Sequence, residues 1–350
     1  MTVAEPTITF RGTSSTYNDI ELFREGEIGK AKVLNRVKDD RVLKPTAEDL
    51  TVSEPVTADK IAEKLEIYGG CRVKNYLPTE VADQIWNEVE PYFGGGRKWE
   101  GDFFPKETSR VCGIMNKSKT ACERYLTHPL LTEVAARFLG KENAFIMGQE
   151  LITAYSAPQL NSSVTFNIGP GAHGQPLHRD DIIHHNIRKY REKYEYGSET
   201  ALGCMLAHST TTYYNGATKF IPGSHLWDHY RVPSEDECVY AEMEKGDAFF
   251  MLASCFHGGH ANTTKDEQRK QSILFMTQGV LRQEENLYLE TPLDYFKTLS
   301  VDAVKAFGIP SSDPKLGYVG DLVNPLYLVK PELENEKGAD DPFEKTYQLA

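Results

Sequence analysis

The amino-acid sequence predicts a mainly β protein, an antiparallel barrel or jelly roll, with helices ahead of it. Two observations carry this. From Asn143 to about Leu281 the chain offers a series of short apolar runs broken by turn signals, and no ten-residue helical pattern separates them, as a parallel α/β sheet would require. Just before that region two amphipathic stretches repeat with helical period.

Taken in order, residues 1–60 are polar, mix acidic and basic groups and show no sustained period. They read as an extended arm with short helical pieces. Regular structure is expected from Ile67, with IYGGCRVKNYL as a short strand pair. Pro78-Thr79 then opens a helix whose buried face is Val81, Ile85 and Val89, with Phe93 continuing it, before GGG ends it. The second helix is capped by Thr127, has Pro129 in its first turn, buries Leu130, Leu131, Val134, Ala135, Phe138 and Leu139, and stops at Gly140. The expected strands are AFIMGQELITAYS, SVTFNIG, ALGCMLAHSTTTYY, ATKFIPG, DAFFMLA and SILFMTQGVLR, separated by GPG, YNGA, PGS, KGD and NTTKDE. A charged stretch at 184–199, helix or loop, is expected to wall the site. One short helix, SVDAVKAFG, interrupts the tail. The domain reading is therefore an arm at 1–60, one domain at 61–310 and a tail at 311–350 that packs on the domain or on a partner subunit.

A chain of 350 residues can bury a full core. The net charge of −12, with no basic block to offset it, argues against a nucleic-acid or anionic-membrane partner. The six cysteines form no CxxC pair and no compact framework, so buried thiols are expected rather than disulfides. The N-terminus shows no signal-peptide pattern and no run reaches membrane-spanning length. A soluble, cytoplasmic protein is expected. The arm and tail are segments of the kind that cross a homodimer.

The chemistry is concentrated in GQPLHRDD and ASCFHGGHANTTKDEQR. In a strand, residues i and i+2 share a face, so His178 and Asp180 can hold one metal ion, and a second strand can bring His257 against it. Gly258 and Gly259 then allow close approach. Two imidazoles and one carboxylate leave half of an octahedron open, as a non-haem Fe(II) oxygenase needs. Asp181 should face the opposite side. His184 and His185 are placed for contacts around the site, His260 lines the pocket or caps a turn, His225 is structural, and His128, His173 and His229 lie on the surface. Such an oxygenase uses a 2-oxo acid as reductant, and the far carboxylate of that acid needs a forked cation. Arg269, at the start of a strand, suits this role, while Lys270 should point away. Thr218 could add a hydroxyl to the same carboxylate, and Gln175 a hydrogen bond near the metal.

These segments, in their order over residues 65–290, resemble the phytanoyl-CoA dioxygenase family of Fe(II)/2-oxoglutarate-dependent oxygenases, and most of all its fungal members of secondary metabolism. The resemblance implies a double-stranded β-helix (jelly-roll, cupin-like) core. It implies metal ligands at His178, Asp180 and His257, an oxoglutarate anchor at Arg269, and supporting roles for Thr218 and Gln175. The third small residue of the family's HGGG is replaced here by His260. The expected reaction uses Fe(II), 2-oxoglutarate and O2, with ascorbate as reductant in vitro, to oxidise an unactivated C–H bond of a terpenoid, alkaloid or amino-acid-derived metabolite. Tyr68, Arg110, Met115, His185 and His260 are the expected substrate contacts. Rival readings are a metal enzyme on the same barrel that needs no oxoglutarate, an acyl-CoA 2-hydroxylase, and a non-catalytic binder.

Overall fold

The computed structural model describes residues 20–25, 28–33, 41–95, 101, 103–334 and 346–348. Parts of the expected arm (1–19, 26–27 and 34–40) and the end of the tail (335–345 and 349–350) lie outside the described residues.

Nine strands position the site. They are β1 (Gly70–Val73), β2 (Thr108–Cys112), β3 (Gln159–Ile168), β4 (Ala201–Ala207), β5 (Thr218–Phe220), β6 (Val239–Tyr240), β7 (Ala248–Leu252), β8 (His257–Gly259) and β9 (Arg269–Thr277). Six of them form an antiparallel major sheet in the order β1-β7-β4-β9-β3-β2. The other three form a minor sheet in the order β6-β5-β8, extended by an antiparallel bridge between His178 and His257. This is the double-stranded β-helix expected for the chain.

The period-2 alternation of the strands sorts side chains between two environments. Leu202, Cys204, Leu206, Phe250, Leu252, Leu274 and Met276 belong to the large core on the helix side of the major sheet. Their neighbours Met205, Phe249 and Met251 belong to a smaller cluster on the inner side, and Gly203, Met205, Met251, Ile273 and Phe275 line a cavity there.

Three helices cover the outer face: α1 (Ala58–Tyr68), α2 (Thr79–Val89) and α3 (Pro129–Leu139). The last two match the expected helices. The first was not expected, and Ile67 lies inside it rather than starting a strand pair; only β1 follows. Thr57 caps α1 by accepting from the Lys60 amide (3.3 Å), and its Ile61, Ala62 and Leu65 are fully buried. Gly69 ends it at φ +76°, where a Cβ would sit 2.1 Å from Cys255 Sγ. α3 is capped by His128, whose Nδ1 accepts from the Leu130 amide (3.3 Å). Thr127, expected in that role, instead donates to the Glu123 carbonyl (2.8 Å).

Two other expectations change. The run AFIMGQELITAYS is a hairpin, Lys141–Met147 with Glu150–Ser156, turning at Gly148 with φ +65°. The stretch 184–199 forms no α-helix and does not line the cavity; Ile182 and Ile183, from the 3-10 turn Asp180–His184, do. All six cysteines are free thiols, and only Cys112 is exposed. Among the described residues no helix is long and apolar enough to cross a membrane.

Candidate metal centre

His178 and His257 face each other across the bridge, each backbone amide donating to the other's carbonyl at 2.9 Å. After His178 the chain leaves strand geometry: Arg179 is extended and Asp180 opens a 3-10 turn. The amides of Asp180 and Asp181 both donate to the Ala253 carbonyl, at 2.9 and 3.2 Å, which fixes that turn. Asp180 Oδ2 thereby lies 3.2 Å from His257 Nε2, and Oδ1 lies 3.6 Å from His178 Nε2. The three ligand atoms all fall within 4.8 Å of one another. Two ligands at right angles and about 2.1 Å from one ion stand about 3 Å apart, so the spacing suits a single metal.

The protons agree with this. Nδ1 of His178 donates to the Pro176 carbonyl (2.8 Å) and Nδ1 of His257 to the Cys255 carbonyl (3.1 Å). Carbonyls only accept, so both Nε2 atoms carry lone pairs. They point at Asp180, whose Oδ2 is buried without a hydrogen-bond donor. Three electron-pair donors with no proton between them call for a cation. Burial lowers the pKa of His178, with His257 adding to it. Burial alone would lower that of His257, but the neighbouring Asp180 outweighs it and leaves it raised. Burial raises the Asp180 carboxyl, but the two imidazoles overcome this and hold it below its ordinary value.

Asp181 turns the other way, as expected, and Arg179, although in the cavity lining, is engaged outside the His–Asp–His cluster. The Arg179 guanidinium donates to the Ser224 carbonyl (2.9 Å) and lies 4.1 Å over the Phe256 ring. Asp181, fully buried, accepts from Asn186 Nδ2 (2.8 Å) and lies 3.7 Å from Arg188. Arg188 in turn pairs with buried Glu199 at 2.9 Å.

The His178–Asp180–His257 cluster opens onto a cavity of about 570 Å³, a size suited to a small-molecule ligand. At one side of it Arg269 is 2% exposed. Its guanidinium donates to Gln271 Oε1 (2.8 Å) and, at 3.4 Å, to Thr218 Oγ1, while Nε donates to nothing. No carboxylate lies within ion-pair distance among the described residues, and burial brings its pKa down to about 9. A buried, unpaired guanidinium is costly unless an anion completes it. Gln175 accepts from the Gly259 amide through Oε1 (2.9 Å). A Cβ on Gly259 would lie 3.1 Å from that oxygen and 3.8 Å from Arg269, and one on Gly258 would crowd two backbone carbonyls at 3.1 Å. The glycines are what let these chains meet.

Of the expected substrate contacts, Arg110 and His260 line the cavity. The His260 ring packs on Tyr213 (4.6 Å) and Tyr240 (5.1 Å). Tyr68, Met115 and His185 do not line it: Tyr68 packs on the inner core cluster, Met115 is fully buried on the helix side, and exposed His185 ends the 3-10 turn at φ +52°. The sequence reading missed Gln271, Phe103, Phe104, Glu284 and Glu285. Gln271 was findable, since it stands two residues after Arg269 on the same strand face.

The sequence profile of the phytanoyl-CoA dioxygenase (PhyH) family matches residues 65–270. The chain belongs to the phytanoyl-CoA dioxygenase family. Its family relatives include the uncharacterized protein YJR154W of Saccharomyces cerevisiae, 36% identical over 321 residues that cover 89% of this chain and 92% of the relative. Dioxygenase peniF of Penicillium patulum is 36% identical, covering 78% and 89% of the two chains. Dioxygenase himG of Aspergillus japonicus is 35% identical, covering 77% and 86%. Among solved structures, the non-heme alpha ketoglutarate dependent epimerase SnoN from nogalamycin biosynthesis has 18% identity and a TM-score of 0.49, covering 67% of this chain and 89% of its own. As a member of this family the chain is an enzyme of the dioxygenase class.

Proposed function

We propose that this enzyme oxidises an unactivated C–H bond of a small natural product, with His178, Asp180 and His257 holding Fe(II) and Arg269 holding the far carboxylate of 2-oxoglutarate. The observation that carries this is the pairing, in one cavity, of a donor-only cation and an acceptor-only triad. Among the described residues Arg269 has no carboxylate partner and its Nε donates to nothing, and the triad has no proton to share. A dicarboxylic keto acid spanning the two would satisfy both at once.

Bound together there, Fe(II), 2-oxoglutarate and O2 supply the oxidising chemistry, with succinate and CO2 released. The chain does the rest. The Pro176 and Cys255 carbonyls hold each imidazole in the tautomer that presents Nε2. Gln271 and Thr218 orient the Arg269 fork, and Gln175 holds the Gly259 backbone beside it. Val164, Phe166, Ile182, Ile273 and Phe275 give the cavity apolar walls that exclude water and position the target carbon. Glu284 and Glu285 in the same lining weigh against an acyl-CoA, whose phosphates would meet two carboxylates.

The test needs no substrate. Anaerobic protein with Fe(II) and 2-oxoglutarate should develop the visible charge-transfer band of a chelated keto acid. In Arg269→Ala the oxoglutarate concentration needed should rise about 10- to 100-fold, with Fe(II) affinity retained. Absence of the band in the unmodified protein, or an unchanged titration in the variant, would overturn the assignment. The first of these outcomes is what an oxoglutarate-independent metal enzyme would give.

A further inference from the structure

We infer that Glu284 and Glu285 select a substrate bearing a protonated amine, seated with its carbon frame against the aromatic wall formed by Phe103, Phe104 and Phe166. The inference rests on the oxygenase reading above and names the substrate class of that same cavity.

Once Asp180 is assigned to the metal and Arg269 to the co-substrate, the charged side chains left in the cavity lining, histidines apart, are Glu284, Glu285, Arg110 and Arg179. Arg179 is buried against the Ser224 carbonyl and the Phe256 ring, and the Arg110 guanidinium stacks 4.2 Å over Phe104. The two glutamates are held differently, by neutral donors on β3. Ser162 Oγ donates to Glu284 Oε2 at 2.8 Å, with Asn161 Nδ2 at 3.4 Å. The Ser163 amide and hydroxyl donate to Glu285 Oε2 at 3.2 and 3.5 Å.

Serine and asparagine fix a carboxylate in place without neutralising it. Neither glutamate makes an ion pair among the described residues, and the second oxygen of each accepts no hydrogen bond there. Lys117, the nearest candidate for Glu285, spends its ammonium on the Gly113 carbonyl (3.0 Å), Asn116 (2.8 Å) and Glu290 (3.6 Å). Burial accordingly raises Glu284 above its ordinary value and pushes Glu285 up to about 7. A ligand cation would remove that cost.

The aromatic wall is the independent observation. Phe104 stacks with Phe166 at 6.0 Å, and Phe103 meets the His178 ring at 5.1 Å. The rings and the two glutamates line the same cavity, so an ammonium can pair with a carboxylate while the carbon frame attached to it lies on the aromatic wall. The contact between Phe103 and His178 ties this wall to the metal cluster, so a carbon frame lying on it would approach the iron.

Three probes of one shape but different charge test this: tryptamine (cation), tryptophol (neutral) and indole-3-propionate (anion). Each is equilibrated by dialysis under argon at pH 8 with protein loaded with Fe(II) and 2-oxoglutarate, so that binding is read without turnover. Tryptamine should bind about tenfold or more tightly than tryptophol, and the anion least. Glu284→Gln and Glu285→Gln, which keep size and hydrogen bonding, should each bring tryptamine toward the tryptophol value. Equal binding of the three, preference for the neutral or anionic probe, no binding of tryptamine, or unchanged selectivity in both variants would overturn the inference. The chelate band recorded in the same samples separates the two failures: with no band in the unmodified protein the oxygenase reading fails, whereas a band without cation preference rejects the amine alone.

Discussion

Gln271 decides how the Arg269 fork is held, because its Oε1 takes the shortest hydrogen bond that the guanidinium makes in the cavity, at 2.8 Å. Replacing it with leucine leaves a buried donor unmade, which costs about 1–3 kcal/mol. The oxoglutarate concentration needed to form the chelate in Gln271→Leu should therefore rise about 5- to 150-fold. Gln271→Glu should do worse than leucine, because a carboxylate there would pair with Arg269 and compete with the co-substrate. Chelate titrations of the two variants check this, and equal values for both would contradict a role through Arg269. The same residue marks the limit of what the sequence discloses. His178 and Asp180 share one short motif and His257 carries its own glycines, so local pattern exposes all three. Arg269 stands out only through the chemistry required of it, and Gln271 only once the strand face is known. Tyr68, Met115 and His185 lie near chemically informative residues in sequence, yet their backbones aim them elsewhere.

At the scale of elements, α2 meets the major sheet through one buried histidine. His208 follows β4; its Nδ1 donates to the Ala82 carbonyl of α2 (2.8 Å), and its Nε2 accepts from Ser272 Oγ of β9 (2.6 Å). Trp86 packs on its ring at 5.7 Å. Burial brings its pKa down to about 4, with Asp83 partly opposing and Lys245 and Lys270 reinforcing the fall. The folded pKa lies below the unfolded one, so the unfolded chain binds more protons between the two. Stability is then lost as pH falls from about 6.5 toward 4. Between pH 7.5 and 4.5 this residue should remove about 2–3 kcal/mol. His208→Gln lacks that titration, so the stability gap between the unmodified protein and the variant should narrow by this amount, measured by urea unfolding at both pH values. A gap independent of pH would show that His208 is not the joint. The sequence made α2 and α3 legible, because their apolar stripes and stops are strong. It hid α1, where a short stripe of Ile61, Ala62 and Leu65 follows an irregular stretch. It also hid β2, an edge strand with only Val111 fully buried.

At the scale of the molecule, the folded unit continues well past the family match, which ends at residue 270. Phe296, Leu299, Val304, Phe307, Leu326 and Val329 all belong to the same large core as the helix side of the major sheet. They lie on or directly beside short helices, Leu293–Lys297, Val301–Ala306 and Leu326–Val329, which the sequence leaves as one helix and loop because four to six residues are too few to show a period. Lys330 ties the last of them down, donating to the Lys297 (3.1 Å) and Leu299 (2.6 Å) carbonyls. Burying one such side chain contributes about 1.5–3 kcal/mol, so these six are worth roughly 9–18 kcal/mol before entropy is subtracted. That matches or exceeds the ~5–15 kcal/mol net stability of a typical domain. A chain ended after Glu290 should accordingly lose its cooperative unfolding transition although the nine strands and His178, Asp180 and His257 remain. A chain ended after Glu334 keeps the six side chains and should unfold cooperatively, with a midpoint close to that of the full chain. Thermal and urea unfolding of the two truncations decide the point: cooperative folding of the shorter one would show that the barrel and its N-terminal helices suffice, and that the C-terminal helices only decorate them.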